Sequence, residues 1–202
     1  MQRTVLFIAL LAAAPLAHAA VENPWTFRVG AHVIDPKSSN GTLAGGALEA
    51  DVDDSWRPTF SIEYLLTANL GIDVLAALPF SHDVDLDGVK AAEVKQLPPT
   101  LSLNWHFNRG GAVDPFVGIG VNYTRFFSID ESGPLEGSRL ALDDSFGLAA
   151  HVGLDFAVSP RWAVTVDARW MDIDTKVKVD GIRVGTVHID PIAFGVSAAY
   201  RF

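Results

Sequence analysis

The sequence predicts an all-β protein, an eight-stranded antiparallel transmembrane β-barrel of the bacterial outer membrane. Three observations predict this fold. Apolar side chains alternate with small or polar ones in segment after segment, short and long connections between these segments alternate, and the chain ends on an aromatic-rich segment. Because lipid-facing and lumen-facing residues alternate along a barrel strand, such a protein spans the membrane without a long apolar run.

The alternation is clearest in residues 192–202. Isoleucine, phenylalanine, valine, alanine, tyrosine and phenylalanine occupy every second position, and small or polar residues lie between them except for an arginine near the end. A strand with one large apolar face and one smaller polar face fits lipid on one side and a polar lumen on the other. Tyr200 and Phe202 would then lie in the aromatic girdle between headgroups and hydrocarbon.

Seven earlier segments show the same period of two, which gives the even number of strands that bacterial barrels contain. They cover residues 25–33, 59–64, 70–78, 97–107, 117–124, 147–156 and 162–170. Short connections fall at 67–69, 108–111 and 159–161, and long ones at 35–55, 81–95, 128–144 and around 180–181. This asymmetry predicts short periplasmic turns and long extracellular loops.

A soluble eight-stranded ligand barrel would also alternate, but it would place large apolar residues inside and charges outside. Here the charged face is the sparser one, which favours a membrane barrel with a polar lumen. Because an isolated buried charge is costly, we expect the lumen charges to pair. The predicted lumen face carries Arg28, His32, Glu63, Asp73, His106, Asp155, Asp167, Arg169 and Arg201.

The amino terminus predicts a signal peptide at residues 1–19, cleaved to leave a single barrel domain at 20–202. Arg3 precedes a short apolar run, and Ala17-His18-Ala19 forms the small-residue pattern before the cut. A retained helical anchor is the alternative, but the run is shorter than the roughly 20 apolar residues that span a bilayer. Loss of Arg3 changes the formal charge from -9 to -10.

Composition excludes several classes of function. The chain has no cysteine, so it contains neither a disulfide framework nor a thiolate metal site. The net charge of -9 argues against nucleic acid as a partner, because phosphate binding requires a basic surface. Acidity of this kind is typical of solvated loops.

Two motifs suggest metal ligands without specifying a metal. Asp83-x-Asp85-x-Asp87-Gly88 matches the opening of a calcium-binding loop, but the twelfth position is Val94 instead of glutamate, so a solvated acidic loop in 83–93 is favoured. His188 and Asp190 are two candidate ligands, which do not fill a coordination sphere. We therefore expect no metal or other cofactor.

An outer-membrane enzyme acting on lipid would need a serine, a histidine and an acidic group gathered at one rim. Ser81, His82 and Asp83 are adjacent in the sequence, but neighbours in a strand point to opposite faces. We therefore expect no catalytic residues and no enzyme activity.

The sequence resembles the outer-membrane protein W family, which includes the AlkL-type proteins. The resemblance is carried by residues 69–83, 97–100, 115–124, 167–170 and 200–202. It implies an eight-stranded barrel that passes small hydrophobic molecules inward and releases them sideways into the bilayer. It also implies, for some relatives, a role as bacteriocin receptor.

Three prolines indicate where a sideways exit could lie. Pro79 ends the third predicted strand, and Pro98 and Pro99 begin the fourth. Proline has no amide hydrogen to donate, so the ladder between these strands would lose bonds and could part. The alternative is that these prolines only terminate the strands at the outer rim.

Two functions remain open at this stage. One is passive uptake of small hydrophobic solutes, with outer-membrane lipid as the second partner, because an eight-stranded barrel is too narrow for a wide diffusive pore. The other is a structural or receptor barrel whose long loops bind a bacteriocin, a phage or a host surface.

Overall fold

The computed structural model describes residues 21–202, and the predicted signal peptide lies outside them. The described chain forms one sheet of fifteen strands. The strands are β1 (Trp25–Asp35), β2 (Thr42–Leu43), β3 (Leu48–Val52), β4 (Ser55–Leu65), β5 (Leu70–Ala77), β6 (Phe80–Leu86), β7 (Val89–Leu97) and β8 (Thr100–His106). They continue with β9 (Val113–Glu131), β10 (Leu140–Leu142), β11 (Ser145–Ala157), β12 (Trp162–Met171), β13 (Asp174–Val179), β14 (Ile182–His188) and β15 (Ile192–Arg201). Within residues 21–202, no helix has the length and apolar character needed to cross a membrane.

Eight of these strands close into an antiparallel barrel in the order β1, β4, β5, β8, β9, β11, β12 and β15. The last strand returns to the first, because the Trp25 amide donates to the Phe202 carbonyl at 3.1 Å and the Phe202 amide to the Trp25 carbonyl at 3.0 Å. Closure gives every barrel strand two hydrogen-bonded neighbours, so the barrel has no edge strand, as a bilayer requires of a β-structure. The predicted fold class is confirmed.

The outer face of the barrel is apolar along its height. Ile119 and Phe146 are 72% and 73% exposed. Large apolar side chains in the core of a water-soluble protein are not exposed to this extent. At the end with the short turns, Trp25 packs on Tyr64 and Trp162 on Tyr200, with ring centroids 4.6 and 4.8 Å apart. Tyr200 therefore lies in an aromatic girdle of the kind that marks a membrane interface.

The long connections, which the sequence predicted only as long extracellular loops, are largely hairpins. The extension, defined as β2, β3, β6, β7, β10, β13, β14 and residues 125–131 of β9, continues the sheet beyond the barrel. Its strands retain the period of two: in β6, Phe80, His82 and Leu86 are buried inside. We call this the hairpin end, and the opposite end the turn end.

The acidic motif at 83–88 forms one of these hairpins. Asp87 and Gly88 have positive φ angles of 50° and 75°, which suits a two-residue hairpin turn between β6 and β7. The Asp83 carboxylate is 2.8 Å from the Lys90 ammonium, and the Asp87 carboxylate accepts the Glu49 amide at 2.8 Å. The segment is thus a strand and turn, with two of its carboxylates occupied by protein partners.

Candidate functional site

The barrel lumen is filled by one network of charged side chains. All nine residues that the sequence assigned to the lumen belong to this network, and their side chains are buried. Arg28 is its centre: the guanidinium is 2.9 Å from Glu63, 3.2 Å from Asp155 and 3.7 Å from Asp73. The other members form four further contacts. Arg201 lies 3.2 Å from Asp155, and Arg169 lies 3.4 Å from Asp73. The His106 ring lies 3.0 Å from Glu63, and the His32 ring lies 3.1 Å from Asp167.

Sequence reasoning missed three further members of this network. Asp114 accepts a hydrogen bond from His106 at 2.8 Å, Asn104 donates to Glu63 at 3.1 Å, and His151 is 3.0 Å from Asp167. The alternation itself could have identified His151 and Asn104. Asp114 was not predicted to face the lumen, because the predicted strand began at residue 117. In the structure β9 begins at Val113 and includes Pro115.

Glycines make room for this packing. A Cβ on Gly195 would lie 2.1 Å from the His32 ring, and one on Gly153 would lie 2.3 Å from the Phe116 ring. The void left within the network is about 10 Å³, which is room for about one water. The lumen is therefore closed to a diffusing solute of any size larger than water.

The extension encloses the opposite kind of interior, an apolar cavity of about 230 Å³. Its wall is lined by Leu43, Ala44, Leu48, Ala50, Val52, Val84, Leu86, Val94, Phe126, Leu135, Leu140, Leu142, Val177, Val179, Val184, Val187 and Ile189, and its polar lining residues are His82, Gln96 and Thr175. Leu135 and Val184, near the hairpin tips, are partly exposed, whereas Ile189 is buried. The cavity therefore opens toward the hairpin end.

The cavity and the lumen meet at a boundary marked by Met171. This side chain is 1% exposed and belongs to the apolar core of the extension. Its sulfur is 3.8 Å from the Thr100 hydroxyl and 3.6 Å from the Asn122 amide, which belong to the polar lumen. An apolar solute that reaches this level meets polar groups whose desolvation is unfavourable.

The ladder between β5 and β8 is interrupted beside this boundary, at the three prolines. Pairing ends with Leu75 opposite Thr100 and resumes with Phe80 opposite Gln96. Residues 76–79 and 97–99 do not pair with each other, and we call this region the ladder gap. It lies between the cavity, which Gln96 lines, and the outer surface, where Leu78 is 50% exposed.

The prolines of the ladder gap have their carbonyls bonded elsewhere. The Pro79 carbonyl accepts from Arg57 at 2.9 Å, and the Pro98 and Pro99 carbonyls accept from the Asn122 amide at 3.1 and 3.2 Å. No main-chain hydrogen bond therefore joins residues 76–79 to residues 97–99. The gap is consistent both with a sideways opening and with prolines that simply end β5 and precede β8.

A polar pair, His82 and Gln96, faces the cavity next to the ladder gap. The His82 Nδ1 atom is 2.6 Å from the Asp53 carbonyl, and the Gln96 amide nitrogen is 2.9 Å from His82 Nε2. Burial lowers the pKa of His82, which favours the neutral ring. Ser81 points the other way and donates to Glu93 at 2.6 Å, so the Ser81, His82 and Asp83 sequence does not form a catalytic relay.

The structure adds a third residue to the predicted ligand pair His188 and Asp190. Asp174 bonds to His188 at the rim of the barrel. However, the Asp190 carboxylate already accepts hydrogen bonds from the Lys37 ammonium at 2.6 Å and from the Ile173 amide at 3.3 Å. An ammonium at this position opposes a second cation, so we assign no metal to this cluster.

A closed barrel with an apolar outer face, an aromatic girdle and a charged, filled lumen defines an integral protein of the bacterial outer membrane. The sequence agrees with relatives of that class. The chain belongs to the OmpW family, whose model matches residues 24–202. The predicted family and the predicted location in the outer membrane are confirmed.

Three relatives show the extent of the similarity. Outer membrane protein W of Salmonella typhi is 36% identical over 201 residues, with 96% of this chain and 94% of the relative covered. The crystal structure of OprG from Pseudomonas aeruginosa superimposes with a TM-score of 0.78 at 32% identity, covering 88% of this chain and 95% of OprG. A protein named dibenzothiophene metabolism operon protein PahQ, also from Pseudomonas aeruginosa, is 30% identical over 165 residues, covering 77% of this chain and 76% of PahQ. The first two are named as membrane proteins, not as enzymes.

Proposed function

We propose that this protein mediates passive uptake of small hydrophobic molecules across the outer membrane. The solute enters the apolar cavity from outside, leaves it through the ladder gap between β5 and β8, and reaches the bilayer sideways. The observation that carries the proposal is the apolar cavity that ends beside an unpaired stretch of the barrel wall, directly over a closed lumen.

The chemistry of the two interiors supports this route. An apolar solute gains roughly 25 cal/mol for each Å² of its surface that leaves water for the cavity. The same solute would have to displace ion pairs to continue through the lumen, where Arg28 contacts three carboxylates. The lipid bilayer is the only apolar phase next to the cavity, so sideways release is the favourable step.

The position of Phe80 supports an exit at the ladder gap. Phe80 is 2% exposed and is the first residue of β6 beyond the gap. It packs within the apolar core of the extension, opposite Gln96. We propose that this ring covers the inner side of the gap and that its movement lets the solute pass toward Leu78 on the outer surface.

One relative's name points to the same chemical class. PahQ is named for dibenzothiophene metabolism, and dibenzothiophene is a small, apolar, aromatic molecule. The similarity favours a hydrophobic solute for this chain and does not specify which one.

The experiment that tests the proposal compares uptake rates in cells that express the protein and in cells that lack it. The probes are a medium-chain hydrocarbon and a sugar of similar mass. We expect faster entry of the hydrocarbon alone, and an at least tenfold loss of that gain in Val177→Trp, which fills the cavity. Ile182→Trp is the matched control, because Ile182 is 70% exposed in the adjoining strand β14.

A second variant tests the exit. Pro98→Ala with Pro99→Ala restores two amide donors at the ladder gap and should slow hydrocarbon uptake, because β8 could then pair further along β5. Unchanged uptake in this variant would remove the exit at the gap. Unchanged uptake in cells that lack the protein would instead move the function to the hairpin tips, as a receptor surface.

A further inference from the structure

Three basic side chains lie together on the outer surface of the extension. Lys176 and Lys178 belong to β13, and Arg183 lies opposite Lys178 on β14. Thr175 and Val177, which alternate with the two lysines, line the cavity, so the lysines point away from it. Arg183 is exposed. We call these three basic residues the basic cluster.

One carboxylate, that of Asp143, lies among these cations. It accepts a hydrogen bond from the Lys178 ammonium at 2.6 Å. This bond, together with the charges of Lys178, Lys176 and Arg183, lowers the pKa of Asp143. All three cations therefore act on one carboxylate, and the cluster carries an excess of positive charge.

The two other acidic residues of the β13–β14 hairpin have partners of their own. Asp174, at the base of the hairpin, bonds to His188. Asp180, in the turn, accepts the Arg139 amide at 2.9 Å. Neither belongs to the basic cluster, which lies between them along the hairpin.

Lys176 and Arg183 have no acidic partner among the described residues. The ion pair of Lys178 with Asp143 is the one that the cluster forms there, and Arg183 donates to the Thr186 hydroxyl at 3.1 Å. Lys176 and Arg183 are both exposed. Their remaining donors are therefore available to an anion from outside the chain.

The basic cluster lies at the height expected for lipid headgroups. Phe146 is the first outward residue of β11 and marks the end of the apolar surface there. Asp143 precedes it by three residues, and the Asp143 amide donates to the Lys176 carbonyl at 3.1 Å. Three residues of a strand span about 10 Å, and the tilt of barrel strands reduces this height. Because the polar layer of each leaflet is roughly 5–7 Å thick, the long Lys176 side chain reaches it.

The opposite side of the extension carries the opposite charge. Strands β6 and β7 lie across the extension from β13 and β14 in the order of the sheet. The acidic residues there and in the adjoining β3–β4 segment are Asp51, Asp53, Asp54, Asp83, Asp85 and Glu93. This side repels an anion and the basic cluster attracts one, so the charges select one face of the extension.

We propose that the basic cluster binds the phosphate groups of an outer-leaflet lipid, with Lys176 and Arg183 donating to the phosphate oxygens. The acyl chains of this lipid lie against the exposed apolar side chains below the cluster, Phe146, Leu148 and Trp170. The site is on the outside of the protein and separate from the cavity. It therefore goes beyond the proposed uptake of solutes and does not depend on it.

The test uses the full protein in phosphatidylcholine vesicles that contain either diphosphorylated lipid A or the same lipid without its phosphates. Native mass spectrometry of protein released from the vesicles measures the fraction that retains the added lipid. We expect the wild type to retain the phosphorylated form preferentially. Lys176→Gln with Arg183→Gln should weaken its apparent affinity roughly 25-fold, because each cation at a charged lipid surface contributes about fivefold.

Two further variants separate the cluster from net charge and from misfolding. Lys90→Gln with Lys95→Gln removes the same charge from β7, on the acidic side, and should retain the lipid as the wild type does. Asp143→Asn removes the carboxylate that pairs with Lys178. It should strengthen retention severalfold, a gain that a misfolded protein would not show.

Three results would overturn the site. The first is equal retention of both lipids by the wild type. The second is retention that stays unchanged in Lys176→Gln with Arg183→Gln, or that falls equally in the β7 control, because net charge alone would then attract the lipid. The third is displacement of the lipid by inorganic phosphate, which would assign the cluster to a soluble anion instead of a headgroup.

Discussion

The lumen of the barrel and the interior of the extension are built by the same alternation and have opposite chemistry. Along one edge, the inward residues of β7 include Val94, whereas those of β8 are Thr100, Ser102, Asn104 and His106. The change occurs across Pro98 and Pro99. The same strand pattern therefore builds a hollow apolar chamber on one side of these prolines and a filled polar plug on the other.

This difference shows what each interior excludes. The lumen has its charges paired and almost no free volume, so it has no room for a solute larger than water. The extension has free volume and almost no polar surface, so its interior suits an apolar molecule better than a polar one. Changes in the charge pairing of the lumen and in the packing of the extension test this comparison directly, and the largest effect is expected in the lumen.

Removal of the central lumen cation should have the largest effect on stability. Arg28→Leu leaves Glu63, Asp73 and Asp155 without their shared partner. Breaking a buried ion pair by deleting one partner costs about 3–5 kcal/mol. We expect a loss of that order in the free energy of unfolding by urea in lipid vesicles. A loss below 1 kcal/mol would mean that the network fills space without stabilising the barrel.

Removal of the Phe80 ring should increase hydrocarbon uptake severalfold. Phe80→Ala opens the ladder gap toward the lipid, while Phe126→Ala removes an equal volume from the same apolar core on the far side of Gln96. Initial uptake rates of a medium-chain hydrocarbon measure the difference. Equal rates in the two variants would show that core volume, and not the gap, limits passage.

Protonation of His82 should loosen the extension and leave the barrel intact. Its pKa is lowered in the folded state by burial and by Arg57, against the opposing Asp53 and Asp54. The unfolded state therefore binds more protons, and stability falls as the pH drops from about 6.5 toward the folded pKa, by at most about 1.4 kcal/mol per pH unit. Hydrogen-exchange protection factors of β6 and β7 at pH 7.5 and 5 measure this slope.

The matched variant for this experiment is His82→Asn. It keeps a donor for the Asp53 carbonyl and does not titrate. The slope should disappear in His82→Asn for β6 and β7. A slope that persists there would assign the effect to another titrating group.

An exposed ion pair should show the smallest effect. Lys37→Leu removes the contact with Asp190, in which the lysine side chain is 42% exposed. Exposed pairs contribute about 0–1 kcal/mol, so urea unfolding should change by less than 1 kcal/mol. A loss as large as that of Arg28→Leu would contradict the distinction between buried and exposed charges on which the comparison depends.

Much of the fold could be predicted because the alternation along a barrel strand shows which side chains face the lumen and which face the lipid. The period of two assigns Arg28 and Glu63 to the lumen and Ile62 to the lipid without any knowledge of the neighbours. The extension was missed for a related reason. Its strands carry the same alternation, but the acidic residues of 83–87 and the glycines at 88 and 181 are equally typical of loops.

The sequence by itself determined the barrel, its eight closing strands, the charged lumen face and the family, because these depend on local alternation and on the order of segments. Only the tertiary structure decided that the hairpins enclose a cavity and that the side-chain oxygen of Gln96 has no hydrogen-bond partner among residues 21–202. These features depend on which strands meet across the ring. Pairing between distant segments is set by the closure of the whole barrel, and no local pattern encodes it.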